Sequence, residues 1–438
     1  MLASLAACGR GVSRSRGLPL LLRSRVSLSD CSGLATETRG VRASTDGTPS
    51  ADASRAGYCD THASRGGSPK SPASKAGTPA PRSSSAESLL GAPGSFTILR
   101  STSADVFTNL ALEDWLYEHG GFGAGGGALL VWWNERAVVL GRHQNPWRES
   151  DVPWLRQRGI AVARRRSGGG TVYHDLGNVN FSFFSSRAGY DRKRNLGLIT
   201  DAVATLRPRL DVRATERFDL VMEANLKVSG TAAKLGRDTA YHHCTLLVEA
   251  DRALMSRALR SGHAAGLRTN ATPSVPAPVA NLRERDRTLT CNLLAGAVAA
   301  QFARSHGRPG RGQATTVDPT DVEAYPGIER MREELSSWEW VYGRTPPFSY
   351  EHSFPSDPCG GGQHGEFTVR VEVKNGRIER CEVKVPDPWL PMDVTSTLAQ
   401  VLVGTRFWPE DVELALREVR AQGQGPWGRI CDCIMSIV

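Results

Sequence analysis

Arg164-Arg165-Arg166-Ser167-Gly168-Gly169-Gly170-Thr171, running on through Val172-Tyr173-His174-Asp175-Leu176-Gly177-Asn178, is the densest chemical feature of this 438-residue chain. Three consecutive glycines let the main chain approach a ligand closely and turn several N–H groups towards an anion. The arginines before them add permanent positive charge and forked donors. A plain glycine-rich turn between strands, with solvated arginines, is the competing reading, because such loops are common. The spacing excludes two phosphate-binding motifs. No Gly-Lys-Ser/Thr follows, and the Gly-x-Gly-x-x-Gly fingerprint is missing.

Two stretches outside this loop strengthen the ligand reading. Gly141-Arg142-His143-Gln144-Asn145 is a polar loop directly after an apolar strand, a common place for ligand contacts. Lys227-Val228-Ser229-Gly230-Thr231-Ala232-Ala233-Lys234 sets a lysine among small residues that would let a substrate come near it. Such a lysine can neutralise a phosphate or a developing negative charge, although a lone lysine is usually a solvated surface residue. His242 and His243 are adjacent on an apolar strand and so point to opposite faces; they cannot chelate a metal together. No metal site is predicted. His174 and Asp175 are sequence neighbours that would not face one another, and they read as structural.

Around these motifs the pattern is that of an α+β protein, with mixed sheets and helices. A helix is expected over 102–119, with Thr102 and Asp105 as a capping box. Apolar runs at 128–133 and 137–140 read as buried strands joined by a turn at Asn134-Glu135, and 171–174 with 178–184 as a strand pair. Further strands are expected at 160–165, 210–214, 220–223 and 241–248, and helices at 151–158, 197–206, 252–260 and 289–306. A second unit begins near Trp338. Its strands 366–374 and 377–385 flank Asn375-Gly376, the favoured type I′ hairpin turn, and helices follow at 393–403 and 409–420.

Composition sets the remaining bounds. With 40% hydrophobic and 23% charged residues the chain has material for one or two sizeable cores. The formal net charge of +9 invites a nucleic-acid reading, but residues 1–94 hold 12 Lys+Arg against 6 Asp+Glu. The body is nearly balanced and lacks a basic stripe with interleaved aromatics, so no nucleic-acid partner is expected. Arg10, Arg14, Arg16, Arg23 and Arg25 lie in a Ser-rich start whose first acid is Asp30, the composition of a mitochondrial presequence. Residues 31–94 offer few large apolar side chains and read as a disordered linker. No run is long enough to span a bilayer, so no membrane partner is expected. The cysteines show no regular framework, and Cys431-Asp432-Cys433 reads as a terminal packing feature rather than a zinc knuckle.

Together the stretches 141–147, 164–178, Arg217-Phe218-Asp219-Leu220, 227–234 and Tyr241-His242-His243-Cys244-Thr245-Leu246-Leu247, continuing through Asn281-Leu282 and Trp338-Glu339-Trp340, resemble the lipoate–protein ligase A family. Within it the likeness is greatest to the mitochondrial lipoyltransferases of animals, and it covers residues 95–438. The resemblance implies a biotin/lipoate protein ligase-like catalytic domain at 95–328 and a small α+β accessory domain at 329–438, after the targeting segment and linker that composition assigns to 1–94. It implies an acyltransferase of the mitochondrial matrix, acting as a monomer. The enzyme would move lipoyl, from lipoyl-AMP or the lipoylated glycine cleavage H protein, to a lysine of lipoyl domains of 2-oxoacid dehydrogenase E2 subunits. An ATP-dependent ligase that makes the adenylate itself, and a non-catalytic lipoyl-domain-binding protein, are the alternatives.

Carried over residue by residue, Lys227 is the essential lysine, and Arg165, Gly168, Gly169, Gly170, Asn178, Asp219, Thr245 and Leu247 bind lipoyl-adenylate. Val172, Val179 and Phe181 are expected to line an apolar tunnel for the acyl chain. Cys244 stands where bacterial ligases have glycine, which makes it a candidate thioester nucleophile provided its thiol pKa is low.

Overall fold

One strand shows how this sequence builds its central sheet. In Asn178–Ser186 the residues Asn178, Asn180 and Ser182 alternate with Val179, Phe181 and Phe183, the period of two that sends neighbours to opposite faces. The protein is known from a computed structural model. It describes residues 87–438 apart from 88, 93, 224, 264, 308–311, 356–364, 386–391 and 423–425. The presequence, most of the linker, and Cys8, Cys31, Cys59 and Cys359 lie outside the described residues. Leu90 is buried, and its carbonyl accepts from Thr97 Oγ1 at 2.9 Å, so packing begins ahead of position 95.

In chain order the strands are β1 (Phe96–Ser101), β2 (Gly127–Trp132), β3 (Ala137–Leu140), β4 (Ala161–Arg164), β5 (Val172–His174) and β6 (Asn178–Ser186). There follow β7 (Val212–Ala214), β8 (Leu220–Met222), β9 (Leu226–Ser229), β10 (Thr231–Leu235), β11 (Thr239–Leu247) and β12 (Leu267–Thr269). The last are β13 (Thr315–Val317), β14 (Phe348–Pro355), β15 (Glu366–Lys374) and β16 (Arg377–Lys384). A six-stranded mixed sheet runs β10-β11-β6-β2-β1-β13, and a three-stranded one runs β4-β3-β5. A small sheet β7-β8-β9 and an antiparallel sheet β12-β14-β15-β16 complete the fold.

Each face of the six-stranded sheet carries its own core. On one, Leu129, Val131, Val179, Phe181, Phe183, Cys244 and Leu246 meet helices α4 (Arg192–Leu206) and α6 (Cys291–Ser305). On the other, Leu130, Trp132, Phe184 and Tyr241 join α1 (Val106–His119) and the three-stranded sheet. The short helices α2 (Pro146–Glu149), α3 (Val152–Gln157) and α5 (Arg252–Ala258) border the latter. The C-terminal part adds α7 (Ile328–Ser336), α8 (Trp338–Val341), α9 (Met392–Leu402), α10 (Pro409–Gln422) and α11 (Pro426–Ser436).

Several expectations are corrected. Helix α1 starts at Val106 with Asp105 as its N-cap, accepting from Thr108 N at 2.8 Å. Thr102 is not in the helix because its N–H is bonded to Val317 O in the continuation of the β1–β13 pairing. Strands β2 and β3 do not pair: β2 lies between β1 and β6, whereas β3 lies between β4 and β5. Likewise β5 and β6 belong to different sheets. Between β2 and β6 the chain therefore changes sheet twice, at 133–136 and at 175–177. The Asn375-Gly376 turn is borne out, with φ of 52° and 70°, both positive as a type I′ turn requires. Strand β12, from the segment before 328, pairs with β14 beyond it. Cys431 is fully buried on α11, which agrees with a packing role.

Candidate functional site

The two sheet changes leave a cavity of about 400 Å³ between the six-stranded and three-stranded sheets. Its floor can be traced strand by strand. Trp132 on β2 is the register partner of Asn180 on β6, Asn180 of Thr245 on β11, and Thr245 is hydrogen-bonded to Gly230 ahead of β10. The next row on the same face is Leu130, Ser182, His243 and Ala232. Val139 and Val172 come from β3 and β5 above. A second cavity of about 500 Å³ adjoins the first and shares Thr171, Val172, Lys227, Gly230 and Thr245 with it.

The glycine loop closes one side. Gly169 has φ of +86°, and a Cβ on Gly141 would meet the Gly169 carbonyl oxygen at 2.0 Å, so the loops 141–145 and 165–171 touch through their backbones. Gly169 and Gly170 border the first cavity; Gly168 borders neither.

The arginines do not face a ligand as the charge pattern suggested. Arg165 is buried and donates to Val139 O, Ser167 Oγ, Gly168 O (2.6 Å) and Gly170 O (2.7 Å). It fixes the loop's shape while one edge borders the cavity, and burial pushes its pKa down to about 10. Arg164 is wholly buried against backbone carbonyls, and Arg166 pairs with Asp114 and Glu334. Arg217, on the turn before β8, does border the cavity.

Lys227 lies where the two cavities join, half-buried, with Nζ 2.9 Å from Asp219 Oδ1. Its backbone is pinned by an irregular strap, 272–280: Lys227 N donates to Pro278 O and Lys227 O accepts from Ala280 N. Ser274 of this strap accepts from Thr171 N and from Gln144 Nε2, tying it to the glycine loop. The strap lines both cavities; its prolines and small residues carry no periodic signal, so sequence reasoning missed it. Thr245 lies between the cavities and accepts from Gly230 N at 3.0 Å. Leu247 lines the second cavity. Asn178 is buried and borders neither, but its Nδ2 donates to Asn180 Oδ1 at 3.0 Å.

Two expectations about the walls are overturned. Val172 lines the cavity, but Val179 and Phe181 point to the opposite face of β6 and belong to the core there. Leu110, Trp132 and Val139 take their place. Cys244 borders the first cavity but has the parity of the far core and packs in it, and burial pushes its thiol up to about 12. The lowered pKa that a thioester role requires is therefore absent. His174, expected to be structural, also borders the cavity.

At the inner wall, His243 stands between Glu113 Oε1 and Ser167 Oγ, each 2.8 Å away. Burial raises the Glu113 pKa, but the His243 imidazole and the hydrogen bonds from His243 and Ser182 outweigh it and hold the carboxyl low. His242 points into the other core, stacked on Phe183, as its parity requires. No cluster of metal-ligating side chains occurs among the described residues.

Comparison with known proteins supplies the family. Residues 105–303 match the lipoyl protein ligase A/B catalytic domain. The chain is 47% identical to the mitochondrial lipoyl amidotransferase of Mus musculus over 349 residues, covering 78% of this chain and 91% of that protein. It is 30% identical to the lipoate-protein ligase A of Bdellovibrio bacteriovorus, covering 74% and 92%. Among solved structures, P. falciparum LipL1 in complex with lipoate superposes with a TM-score of 0.50 at 22% identity, over 78% of this chain and 99% of that one. This last likeness concerns the fold alone.

Proposed function

The chain belongs to the lipoyl protein ligase A/B family as a mitochondrial lipoyl-transferring acyltransferase, and from that premise we propose that it uses lipoyl-AMP as its bound donor, with Lys227 at the reacting carbon. The observation that carries this reading is the position of Lys227 at the junction of the two cavities. An acyl-adenylate has an apolar acyl arm and a nucleotide arm that meet at an acyl phosphate. The 400 Å³ cavity, with Leu110, Trp132, Val139 and Val172, suits the lipoyl arm, and the 500 Å³ cavity suits the nucleotide.

The chemistry then follows from the side chains. The incoming lysine amine attacks the acyl carbonyl carbon; the C–N bond forms, the C–O bond to phosphate breaks, and AMP leaves with its electron pair. The amine's proton passes to the leaving phosphate or to solvent. The Lys227 ammonium, oriented by Asp219, stabilises negative charge on the carbonyl oxygen and the departing phosphate. Gly169 and Gly170 allow close approach of the donor, Arg165 holds that loop, Thr245 and Leu247 line the path, and Asn178 acts through Asn180.

Acceptors of the reaction are lipoyl-domain proteins. We assign the E2 subunits of 2-oxoacid dehydrogenases as acceptors, the lipoylated H protein as the other donor, a monomer as the acting form and the matrix as the compartment. The presequence composition and the resemblance support these assignments. Residues 329–438 serve as the accessory domain.

The test is the mass of a purified lipoyl domain after incubation with lipoyl-AMP, lipoyl-H protein, or lipoate with ATP. Mass gain from lipoyl-AMP, lost in a folded Lys227→Ala variant, is expected. Near-normal transfer by that variant would sink the assignment. Pyrophosphate release with ATP and free lipoate would instead make the protein a complete ligase.

A further inference from the structure

Arg165 shapes the glycine loop, yet it is a buried cation whose hydrogen bonds go to one hydroxyl and three carbonyls. A buried charge is costly without a counter-charge. The structure supplies one at the end of a chain of bonds. Arg165 Nε donates to Ser167 Oγ at 3.0 Å, Ser167 Oγ is 2.8 Å from His243 Nε2, and His243 Nδ1 is 2.8 Å from Glu113 Oε1. All four residues are buried. Three separate elements meet there: the loop after β4, strand β11 and helix α1. The next residue of α1, Asp114, pairs with Arg166, so the helix grips the loop from two consecutive positions.

Donor and acceptor chemistry gives every bond a direction. Burial works against the Glu113 charge, but His243 and Ser182, whose hydroxyl donates to it at 2.5 Å, outweigh that effect and keep it ionised. An ionised carboxylate only accepts, so His243 Nδ1 carries a hydrogen, and Nε2 of the neutral imidazole is an acceptor. The Ser167 hydroxyl takes the Arg165 N–H on a lone pair and gives its own hydrogen to that Nε2. Each bond then points the same way, from Arg165 to Glu113. Bonds arranged so polarise and strengthen one another in a low-dielectric interior. At the other end, Arg165 Nη2 donates to Gly168 O and Gly170 O, on either side of Gly169. The setting of the guanidinium therefore decides how the Gly169-Gly170 backbone meets the cavity.

We propose that Glu113, His243 and Ser167 are positioning residues, a directed relay that passes the Glu113 counter-charge to Arg165 and so holds the glycine loop in the shape that seats the donor. None of the three reacts; they act through Arg165 on the loop backbone. The inference rests on lipoyl-AMP as the donor seated there. Three core side chains that only fill space would make the competing reading, and the two differ in what breaking the chain at one point does to a break elsewhere.

Glu113 and Ser167 are joined through His243, which makes a double-variant cycle decisive. Unaltered protein, Glu113→Gln, Ser167→Ala and the two changes together are compared in transfer to a lipoyl domain, with folding checked by circular dichroism. Each single change should raise KM for lipoyl-AMP about tenfold, with kcat and KM for the lipoyl domain within about twofold of the parent. The double variant should match the worse single one within about twofold, because the relay is broken only once. Losses that multiply, or equal rises in both KM values, overturn the proposal. His243 is tested by chemistry against shape. His243→Gln keeps one N–H and one acceptor, whereas His243→Phe keeps only a ring. The Gln variant should hold the donor KM within about threefold and the Phe variant should raise it about tenfold. A Phe variant as good as the Gln variant overturns the relay. Amide hydrogen exchange reports the loop without any donor. Residues 165–171 should exchange faster in each single variant and no faster still in the double, with α1 and β11 unchanged; faster exchange throughout the protein would mark the residues as merely structural. Failure of the unaltered protein to use lipoyl-AMP counts against the donor assignment instead, and the exchange result still decides the relay.

Discussion

Two buried histidines make acid the weak point of this protein. His174 is held neutral by burial, its pKa pushed down to about 3, and His242, fully buried on the other face of the sheet, is held well below its usual value for the same reason. Their folded pKa values lie under the unfolded value near 6.5, so the unfolded chain binds protons that the folded one refuses. Stability is complete above pH ~6.5 and falls as pH drops below it, by about 1.4 kcal/mol per unit for each histidine. Asp114 works in the opposite direction: burial raises it to about 6, so protonation relieves it between pH ~6 and ~4. Two histidines against one carboxyl leave a net loss. The urea midpoint should be lower at pH 5 than at pH 7, and His242→Phe should flatten the difference. A midpoint that rises on acidification would refute the assignment.

Cys244 gives a second prediction at this scale. A thiol pushed up to about 12 holds almost no thiolate at neutral pH, and its side chain packs into the helix-covered core although the residue borders the first cavity. Cys244→Ala should keep lipoyl transfer within about threefold of the parent, the loss reflecting only a small packing defect. Intact-protein mass spectra should show no acyl adduct on the parent. Loss of all transfer in a folded Cys244→Ala would revive the thioester route.

At the scale of elements, the decisive contact is between two loops. A Cβ on Gly141 would sit 2.0 Å from the Gly169 carbonyl oxygen, a clash with backbone that no rotamer relieves. Gly168, one residue earlier in the other loop, has open space around its would-be Cβ. Gly141→Ala should therefore displace the glycine loop and cut kcat/KM by at least about 100-fold, whereas Gly168→Ala should cost less than about threefold. Equal effects would mean that loop flexibility, rather than contact, is what the glycines supply. The same pair shows where sequence was legible. The loop motifs, Lys227 and most strands could be read because local periodicity and composition determine them. Which strands pair could not be read. Short connections at 133–136 and 175–177 suggested hairpins, yet each carries the chain into another sheet, and those two departures create the cavity. The parity of β6 was open to reading, since Asn178, Asn180 and Ser182 share one face. The expectation for Val179 and Phe181 put apolar side chains in the acyl path, whereas these two share the parity of Phe183 and go with it to the core under α4 and α6.

For the whole molecule, Arg164 joins the catalytic loops to the C-terminal part. Its guanidinium donates to Gly141 O, Arg142 O and Gln144 O on one side, and to Val341 O and Thr345 Oγ1 on the other. Trp340 Nε1 returns a 2.7 Å hydrogen bond to Arg164 O, and the neighbouring Arg166 stacks on Trp340 while reaching Glu334. Trp147, just after the first loop, packs among Tyr342, Phe348 and Phe407. A C-terminal part fastened by so many buried groups should not be removable. Arg164→Met keeps the apolar stem but strips several buried carbonyls of their donor, each worth ~1–3 kcal/mol, so a loss of at least about 3 kcal/mol in unfolding free energy is expected. A chain ending at 327 removes Val341, Thr345, Trp340 and Glu334 together. It should fail to transfer lipoyl from lipoyl-AMP even where it stays soluble, because the loop that Arg164 and Arg165 shape would lose its support. Transfer at the parent rate by that truncated chain would show that the residues up to 327 are self-sufficient and that the C-terminal contacts serve only stability.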